Sequence, residues 1–161
     1  MDVLIRPVTA EDCQSIADNM RQADQLEVGL SHGDSPLEAI SRAVAASRWA
    51  MSLICDDKHV CAFGVAGRFM ATTAAPWMLG TDEVLRNKST VAQVSRKAIP
   101  IMRQGVKLLE NYTHVDNLIS IKWLRWLGFR IEPAERYGNP GGMFHRFHME
   151  GDLCAVQQGL R

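Results

Sequence analysis

The spacing of apolar side chains changes along the chain, and the changes outline alternating strands and helices. Residues 49–55 follow the two-residue period of a β-strand, 56–58 have turn composition, and 59–67 predict the return strand of a hairpin. Over 87–110 the apolar residues recur instead at the three- and four-residue spacing of a helix. Pro100 predicts a kink or a break there, because proline lacks the amide donor and clashes with the preceding turn.

Local signals predict where three helices begin or end. Thr9 offers an N-cap, and acidic residues follow it in the first turn. Residues 35–38 combine a serine cap, a proline at the first helical position and a capping-box glutamate. Gly128 predicts the left-handed residue that ends a helix over 120–127. Residues 28–34 predict a loop, because two glycines and an aspartate occur within them.

The order of the elements predicts the fold class. Further short apolar runs predict strands at 3–6, 77–79, 111–115, 129–132 and 143–150. The resulting order, β, α, α, β, β, β, α, β, α, β, β, predicts an α/β (α+β) fold with a mixed sheet and helices on both faces. We expect a single domain over 1–150 and a C-terminal tail over 151–161, because the length suits one ordinary domain.

Composition and charge narrow the function classes. The chain has 18 basic and 18 acidic residues. Nucleic-acid binders usually carry a basic excess, since phosphate contacts dominate their affinity, so no nucleic-acid partner is expected. No apolar run approaches the roughly 20 residues that span a bilayer, and the first residues lack a signal-peptide pattern. We therefore expect a cytoplasmic protein without a membrane span and with reduced cysteines at positions 13, 55, 61 and 154.

Two groupings have simpler structural explanations than functional ones. His145 and His148 lie three apart on a predicted strand, so their side chains face opposite sides and do not suit a shared metal. Trp123 and Trp126 lie among basic residues, as in single-strand nucleic-acid sites, but their helical spacing favours core and rim packing. No metal cofactor is expected.

The segment 117–129 resembles a motif of the GNAT superfamily of acetyltransferases. That superfamily often places an asparagine after its fifth strand, a small residue three positions later, and a Gly-Phe pair at the end of the helix. Asn117, Ser120, Gly128 and Phe129 match these positions. The resemblance implies a GNAT-like, mixed, mostly antiparallel central sheet of six to seven strands with helices on both faces.

A narrower resemblance covers mainly the C-terminal half. Residues 77–84, the basic helix after them, 111–112 and 117–129 are similar to small GNAT-like proteins of short-tailed bacteriophages, which include internal virion proteins. This resemblance implies a phage protein in the host-cell cytoplasm or in the virion. Its partner would be a virion protein or a host protein.

The superfamily resemblance also implies a donor and a reaction. The donor would be acetyl-CoA, and the acetyl group would pass directly to an amine on a small molecule or a protein. The fourth and fifth strands of such proteins splay and hold the acyl-pantetheine, which implies backbone contacts from Met78, Leu79 and Gly80. Asn117 would lie near the cofactor, and Ser120 would allow close approach at the helix start.

The expected phosphate-binding turn departs from the family pattern. Acetyl-CoA-binding members usually carry Gln/Arg-x-x-Gly-x-Gly/Ala there, because bare backbone N–H groups must approach the pyrophosphate. Residues 81–90 contain no glycine. Arg86 and Lys88 would attract phosphate, and Ser89 and Thr90 would cap the helix and bond an oxygen. The alternative is an ordinary capped helix start with solvated charges.

The expected proton-transfer groups depart from the pattern as well. Many members place a tyrosine seven residues after the helix-leading asparagine, and here Leu124 stands there without a proton to donate. A base is also needed, since the nucleophile is a deprotonated amine. His114, poised near neutral pH, and Asp116 are the catalytic candidates, although a structural histidine and a helix-start charge are simpler explanations.

These departures leave three functions open. The first is an amine acetyltransferase that uses acetyl-CoA. The second is a GNAT-like internal virion or assembly protein that has lost catalysis, and the third is a binder of a host protein. Binding of a CoA species would separate the first from the others.

Overall fold

In the computed structural model, which describes residues 1–68 and 71–156, seven strands form one sheet. They are β1 (Val3–Pro7), β2 (Ser47–Cys55), β3 (Lys58–Ala66), β4 (Thr73–Gly80), β5 (Leu108–His114), β6 (Arg130–Tyr137) and β7 (Gly142–Glu150). The spatial order is β1-β2-β3-β4-β5-β7-β6, and all neighbours are antiparallel except β4 and β5. The predicted mixed, mostly antiparallel sheet is confirmed.

Helices cover both faces of the sheet, as predicted. Within the described ranges they are α1 (Ala10–Asp18), α2 (Gln22–His32), α3 (Pro36–Ala46), α4 (Glu83–Arg86), α5 (Lys88–Arg103) and α6 (Leu118–Leu127). One core cluster joins α1 and α3 to the sheet around Ile16 and Ile40. The larger cluster, around Val91 and Leu109, joins α4, α5 and α6 to the other face. None of the helices in the described ranges has the length and apolar character required to cross a membrane.

The predicted helix starts are confirmed in detail. Thr9 and Asp12 form a reciprocal capping box at α1, and Ser35 and Glu38 do the same at α3. Gly128 adopts a φ of 101° and ends α6. These signals act within one turn of chain, so tertiary packing does not override them.

Asp12 also ties α1 to three strands. Its carboxylate accepts two bonds from the Arg6 guanidinium, at 2.7 and 2.9 Å, and one from Ser52 Oγ at 2.9 Å, and it lies 2.8 Å from His59 Nε2. Burial alone would raise the pKa of Asp12. The hydrogen bonds from Thr9 N–H and these side chains outweigh burial and hold that pKa well below its usual range.

The loop predicted over 28–34 is wrong, because α2 continues to His32. Gly29 lies inside α2, and a Cβ there would have no heavy atom within 4 Å. Gly33 has a φ of 70°, and its N–H donates to the carbonyls of Gly29 and Val28. Only the second glycine ends the helix, and glycine composition by itself does not separate the two roles.

The helix predicted over 87–110 is too long, and the predicted strands around it are too short. α5 ends at Arg103, shortly after Pro100, and Gly105 turns the chain with a φ of 73°. β5 therefore begins at 108 rather than 111. β4 begins at Thr73 rather than at 77, and β6 continues to Tyr137 rather than ending at 132.

The predicted C-terminal tail is only partly described. Gly151 N–H donates to the Lys107 carbonyl and Asp152 N–H donates to the Arg103 carbonyl, both at 2.8 Å. A short 3₁₀ helix follows at Leu153–Val156. The rest of the predicted tail, 157–161, lies outside the described residues.

β4 and β5 diverge after a short parallel contact. They pair only at Thr73 with Leu108 and at Ala74 with Leu109. Further along, the Asn111 side chain reaches across and donates to the Pro76 carbonyl at 3.0 Å. The sheet therefore opens into a V toward the carboxyl ends of both strands.

Charge is segregated between the two helical layers. Of the 18 Lys and Arg residues, six lie within 84–109 and three within 117–131, and neither range contains Asp or Glu. Residues 8–46, which form α1 to α3, contain seven acidic and two basic residues. Arg96 stacks over the Trp126 ring at 4.2 Å, which joins the outer surfaces of α5 and α6. A molecule without net charge thus has one basic and one acidic side.

Candidate active site

A cavity of about 420 Å³ occupies the opening between β4 and β5. Asp24, Glu27 and Tyr137 line it on the side of α1 to α3, and Ala98 and Met102 line it on the side of α5 and α6. The cavity therefore passes through the sheet where the two strands part. Its volume lies within the range of roughly 300–1,000 Å³ that small-molecule sites occupy.

The backbone of β4 presents different groups to this opening along its length. In an antiparallel pair, successive residues direct their N–H and C=O groups alternately toward and away from the partner strand. Thr81 N–H donates to a β3 carbonyl at 3.0 Å, so Leu79 also faces β3. Gly80, Met78 and Pro76 consequently face away from β3, toward β5 and the cavity.

Both backbone groups of Gly80, its N–H and its carbonyl, are already bonded at the start of α2. Its N–H donates to Asp24 Oδ2 at 2.9 Å, and its carbonyl accepts from Arg21 N–H at 2.8 Å. Arg21 and Asp24 also form a buried ion pair with two bonds, at 2.8 and 3.1 Å. Among the three predicted backbone contacts, only Met78 has an N–H and a C=O that face the opening and are not bonded to α2.

Glu27 joins α2 to the other side of the opening. Its Oε1 accepts from Thr113 Oγ1 at 2.9 Å, from His114 N–H at 2.8 Å and from Asn117 Nδ2 at 2.9 Å. Within residues 1–68 and 71–156, no group donates to Glu27 Oε2. This carboxylate was not predicted from the sequence, because it precedes the segment predicted to be a loop and its partners are about 90 residues away.

The environment of Glu27 makes its carboxyl group a weaker acid than usual. Burial raises the pKa of Glu27, and the nearby Asp24 charge adds to the increase. The hydrogen bonds from Asn117, His114 and Thr113 offset this only in part. A carboxylate with a raised pKa on a cavity wall is a candidate general base.

His114 and Asp116, the bases proposed from the sequence, lie beside this cluster rather than on the cavity wall. The His114 ring is buried and packs edge-to-face on Phe144, with centroids 5.2 Å apart. Its Nδ1 accepts from Asp116 N–H at 3.1 Å, so the neutral ring carries its proton on Nε2. The Asp116 side chain is 82% exposed. Of the two, His114 contacts Glu27 through its backbone N–H, and Glu27 itself lines the cavity.

Two tyrosines also line the cavity. Tyr112 and Tyr137 stack with ring centroids 3.7 Å apart and planes 9° from parallel. Burial raises the pKa of Tyr137, and the Tyr112 hydroxyl adds to this shift. Tyr137 was not predicted, because β6 was expected to end at 132. The pair supplies aromatic surface to the cavity wall.

The loop between β6 and β7 docks on the end of α2. Asn139 N–H donates to the Ser31 carbonyl at 3.0 Å, and Gly141 N–H donates to the Leu30 carbonyl at 2.8 Å. Gly138 allows this approach: its φ is 89°, and a Cβ there would lie 2.5 Å from Ser31 Cα. The loop thereby joins the end of β6, where Tyr137 lines the cavity, to the end of α2.

The expected phosphate-binding turn forms two helical segments. α4 occupies Glu83–Arg86, and α5 starts at Lys88 with Asn87 as an N-cap that makes no side-chain capping bond. The predicted capping by Ser89 or Thr90 is therefore wrong, since both lie within the first turn of α5. The first-turn N–H groups of α5 have no intrahelical acceptor, as at any helix start.

The side chains around this helix start differ in availability. Lys88 and Ser89 are exposed, whereas Thr90 is buried. Arg86 is exposed and paired with Glu83. A basic, donor-rich helix start thus lies at the carboxyl end of β4, although without glycines.

The start of α6 borders the same cavity. Asn117 accepts from Ser120 N–H through Oδ1, at 3.4 Å, while its Nδ2 holds Glu27. Ser120 lines the cavity, as does Leu124, which is buried in the core. Trp123 also lines it, and its Nε1–H is buried without an acceptor among the described residues. The start of α6 therefore holds the Glu27 carboxylate, and the Trp123 Nε1–H is left without an acceptor among the described residues.

In the described part of the chain, no three His, Cys, Asp or Glu side chains come together in a group that could hold a metal ion. His145 Nδ1 lies 2.7 Å from the Glu132 carbonyl, and His148 Nε2 lies 2.6 Å from Glu132 Oε1. All four cysteines are free thiols, with Cys154 exposed and the others buried. The two histidines thus have protein partners.

Comparison with solved structures shows which fold this is. No protein-family model and no curated protein matches the sequence. An N-acetyltransferase from Staphylococcus aureus Mu50 superposes with a TM-score of 0.69 at 12% identity, over 93% of this chain and 99% of that one. A GNAT superfamily phosphinothricin acetyltransferase from Sinorhizobium meliloti, in complex with AcCoA, gives 0.67 at 13% identity, over 94% and 89%. The PaiA N-acetyltransferase from Thermoplasma acidophilum, in complex with coenzyme A, gives 0.61 at 15% identity, over 93% and 99%.

The chain therefore has the fold of the GNAT acetyltransferases. The mixed sheet has seven strands, it opens into a V between β4 and β5, and helices cover both of its faces. These features agree with the fold predicted from the sequence. At these identities the similarity establishes the fold, and the chemistry has to be argued from the site.

Proposed function

We propose that this protein is an acyl-CoA-dependent N-acetyltransferase that uses acetyl-CoA and an amine acceptor. The observation that carries the proposal is the cavity through the V. Met78 offers strand backbone groups on its β4 side, and Glu27 offers a carboxylate on its β5 side. An acyl donor and an amine would thus meet between the two strands.

The residues at the V fit an acyl-CoA. Met78 N–H and C=O would bond the pantetheine, and the unpaired Trp123 Nε1–H would find an acceptor there. The first turn of α5, which begins with Lys88, would face the pyrophosphate, and Arg86 at the end of α4 would lie beside it. When bound, acetyl-CoA supplies an activated acetyl group.

Glu27 is the general base in this proposal. Its Oε1 is occupied by three donors, so Oε2 is the oxygen that takes the proton from the acceptor amine. Asn117 and Thr113 fix the orientation of the carboxylate. The raised pKa of Glu27 strengthens it as a base, because a more basic carboxylate takes up a proton more readily.

Tyr112 is the proton donor in place of the missing family tyrosine. Leu124 occupies the expected position and cannot donate a proton, whereas Tyr112 lines the cavity with a phenolic hydroxyl. Stacking on Tyr137 restricts its ring. The departing thiolate would take its proton from this hydroxyl.

Binding and turnover test the proposal separately. We expect acetyl-CoA at a hundredfold excess over its Kd to stabilise the protein by about 2.7 kcal/mol, measured by thermal shift. Coenzyme A release in the presence of a panel of amines is followed by mass spectrometry. Glu27→Gln should keep the binding shift and lower kcat by about 10²–10⁴-fold.

The matched control is Glu11→Gln, an exposed glutamate on α1, which should leave both measurements unchanged. Absence of any thermal shift at excess acetyl-CoA would overturn the proposal.

A role without catalysis is the second candidate. The protein would then be a phage internal virion or assembly protein, or a binder of a host protein. Leu124 in the core and the glycine-free helix start favour it. This candidate gains support if acetyl-CoA does not bind and mass spectrometry detects the protein in purified virions.

A further inference from the structure

The cavity extends well beyond the space next to Met78. α5 starts after the carboxyl end of β4 and ends just before β5, so it runs opposite to both strands. Its last turns therefore lie at the closed end of the V, where Thr73 and Ala74 still pair with β5. Ala98 and Met102, on those turns, line the cavity. The void thus reaches from the open end of the V to its apex.

This inner part is an apolar chamber, defined by Ala98, Ile99, Met102, Leu127, Phe129 and Phe147. None of these side chains carries a charge or an oxygen, and four of the six are buried. The charged groups of the cavity, such as Glu27 and Asp24, belong to the opposite face of the sheet. Water has few partners in such a chamber, whereas an apolar ligand would restore the lost packing contacts.

Distance along β4 shows what the chamber could receive. Ala75 and Pro76 line the cavity between Met78 and the apex. Three residues of strand correspond to about 10 Å. An acetyl group at the level of Met78 would leave that length unfilled, whereas a longer acyl chain would occupy it.

The unpaired Trp123 Nε1–H is an independent sign of a ligand in this region. It is a buried donor on the cavity wall without an acceptor among the described residues. Burying an unpaired donor costs free energy, so a bound carbonyl that accepts from it is favoured. The thioester and amide carbonyls of an acyl-CoA are acceptors of this kind.

We infer that the preferred donor is an acyl-CoA with a chain longer than acetyl, whose alkyl chain fills the apolar chamber. The inference rests on the proposed function and specifies its donor. In the transfer, the amine nitrogen forms an amide bond with the thioester carbonyl carbon and the C–S bond breaks. The amine proton goes to Glu27, and the thiolate leaves as the free thiol after it takes a proton.

Chain-length dependence tests the inference. Dissociation constants of coenzyme A and of acetyl-, butyryl-, hexanoyl- and octanoyl-CoA are measured by calorimetry, together with kcat/KM for each thioester. Each buried methylene should tighten binding by up to about fourfold, which corresponds to about 0.8 kcal/mol. We expect octanoyl-CoA to bind at least about 30-fold more tightly than acetyl-CoA.

Filling the chamber should remove this preference. Ala98→Leu adds side-chain volume inside the chamber and should make the affinities of octanoyl- and acetyl-CoA nearly equal. Ala92→Leu, the same change on the same helix but outside the cavity lining, should leave the preference intact. If Ala98→Leu does not fold, Ala98→Val makes a smaller change and should shorten the preferred chain.

The outcomes separate this inference from the proposed function. Equal binding of all chain lengths, with acetyl-CoA bound and turned over, would overturn the inference and leave the proposed function standing. A preference for octanoyl-CoA that Ala98→Leu does not change would also overturn it. If no thioester binds, the proposed function and the inference are both wrong.

Discussion

Asp12 is the residue on which the α1 side of the molecule depends most. It is fully buried, and its carboxylate is bonded by side chains of β1, β2 and β3 and by the N–H of the Thr9 helix cap. Asp12→Asn removes the charge that Arg6 and His59 face and should lower the free energy of unfolding by about 3 kcal/mol. Urea unfolding measures the change. Asp18→Asn, on the exposed side of α1, is the control and should change it by less than about 0.5 kcal/mol.

The pH dependence of this effect has a fixed sign. The folded pKa of Asp12 is depressed, so its stabilisation is present above the unfolded value, near pH 4, and is lost as the pH falls toward the folded pKa. The difference between wild type and Asp12→Asn should therefore shrink below about pH 4. A constant difference down to pH 2 would contradict this assignment.

Glu27 should show the opposite pH dependence. Its folded pKa is raised, so its contribution is fully present below the unfolded pKa and is lost as the pH rises through the folded value. Relative to Glu27→Gln, the wild type should lose stability as the pH increases from about 4.3 upward. Thermal unfolding of both proteins across that range measures it. A growing advantage of the wild type with pH would contradict the raised pKa.

At the level of elements, two glycines on and next to α2 predict opposite results for one substitution. Gly29→Ala places a methyl in open space within a helix and should stabilise the protein by about 0.5–1 kcal/mol. Gly138→Ala forces a Cβ to within 2.5 Å of Ser31 Cα at a positive φ. It should destabilise the loop and increase hydrogen exchange of the Asn139 and Gly141 amides. Equal effects of both changes would exclude this docking.

The elements also explain how far sequence reasoning reaches. Capping signals at Thr9 and Ser35 act within one turn, so the starts of α1 and α3 were predictable. α2 was not predicted as a helix, and its end was misplaced in a loop, because Gly29 and Gly33 are equivalent in composition and differ only in backbone conformation. Asn117 was identified from its motif. The carboxylate that it binds was not, because that pairing depends on where α2 packs in three dimensions.

On the scale of the whole molecule, the basic layer of α5 and α6 should guide an anionic donor to the V. Lys and Arg side chains there have no acidic neighbours in sequence over 84–109 and 117–131. Attraction of this kind raises association rates and is screened by salt. The association rate of acetyl-CoA should therefore fall severalfold between low and physiological ionic strength, measured by stopped-flow. The dissociation rate should change much less.

A charge reversal at the surface checks the source of the field. Lys97 lies on the exposed side of α5, outside the cavity lining. Lys97→Glu should slow the association of acetyl-CoA and weaken the salt dependence of the association rate. Glu11→Lys, at an exposed glutamate of α1 on the acidic side, is the matched control and should have a smaller effect on the association rate. Equal effects would mean that the segregation of charge does not guide binding.

The two carboxylates of α2 have a mechanical consequence. Asp24 fastens the helix to the last residue of β4, and Glu27, one turn later, fastens it to β5 and α6. β4 and β5 pair at only two positions, at the apex of the V. This single turn of α2 therefore links the two strands at the opposite, open end. The aperture is therefore set by about 4.5 Å of helix, the rise over three residues. Any change that tilts α2 would widen or narrow the opening for donor and acceptor together.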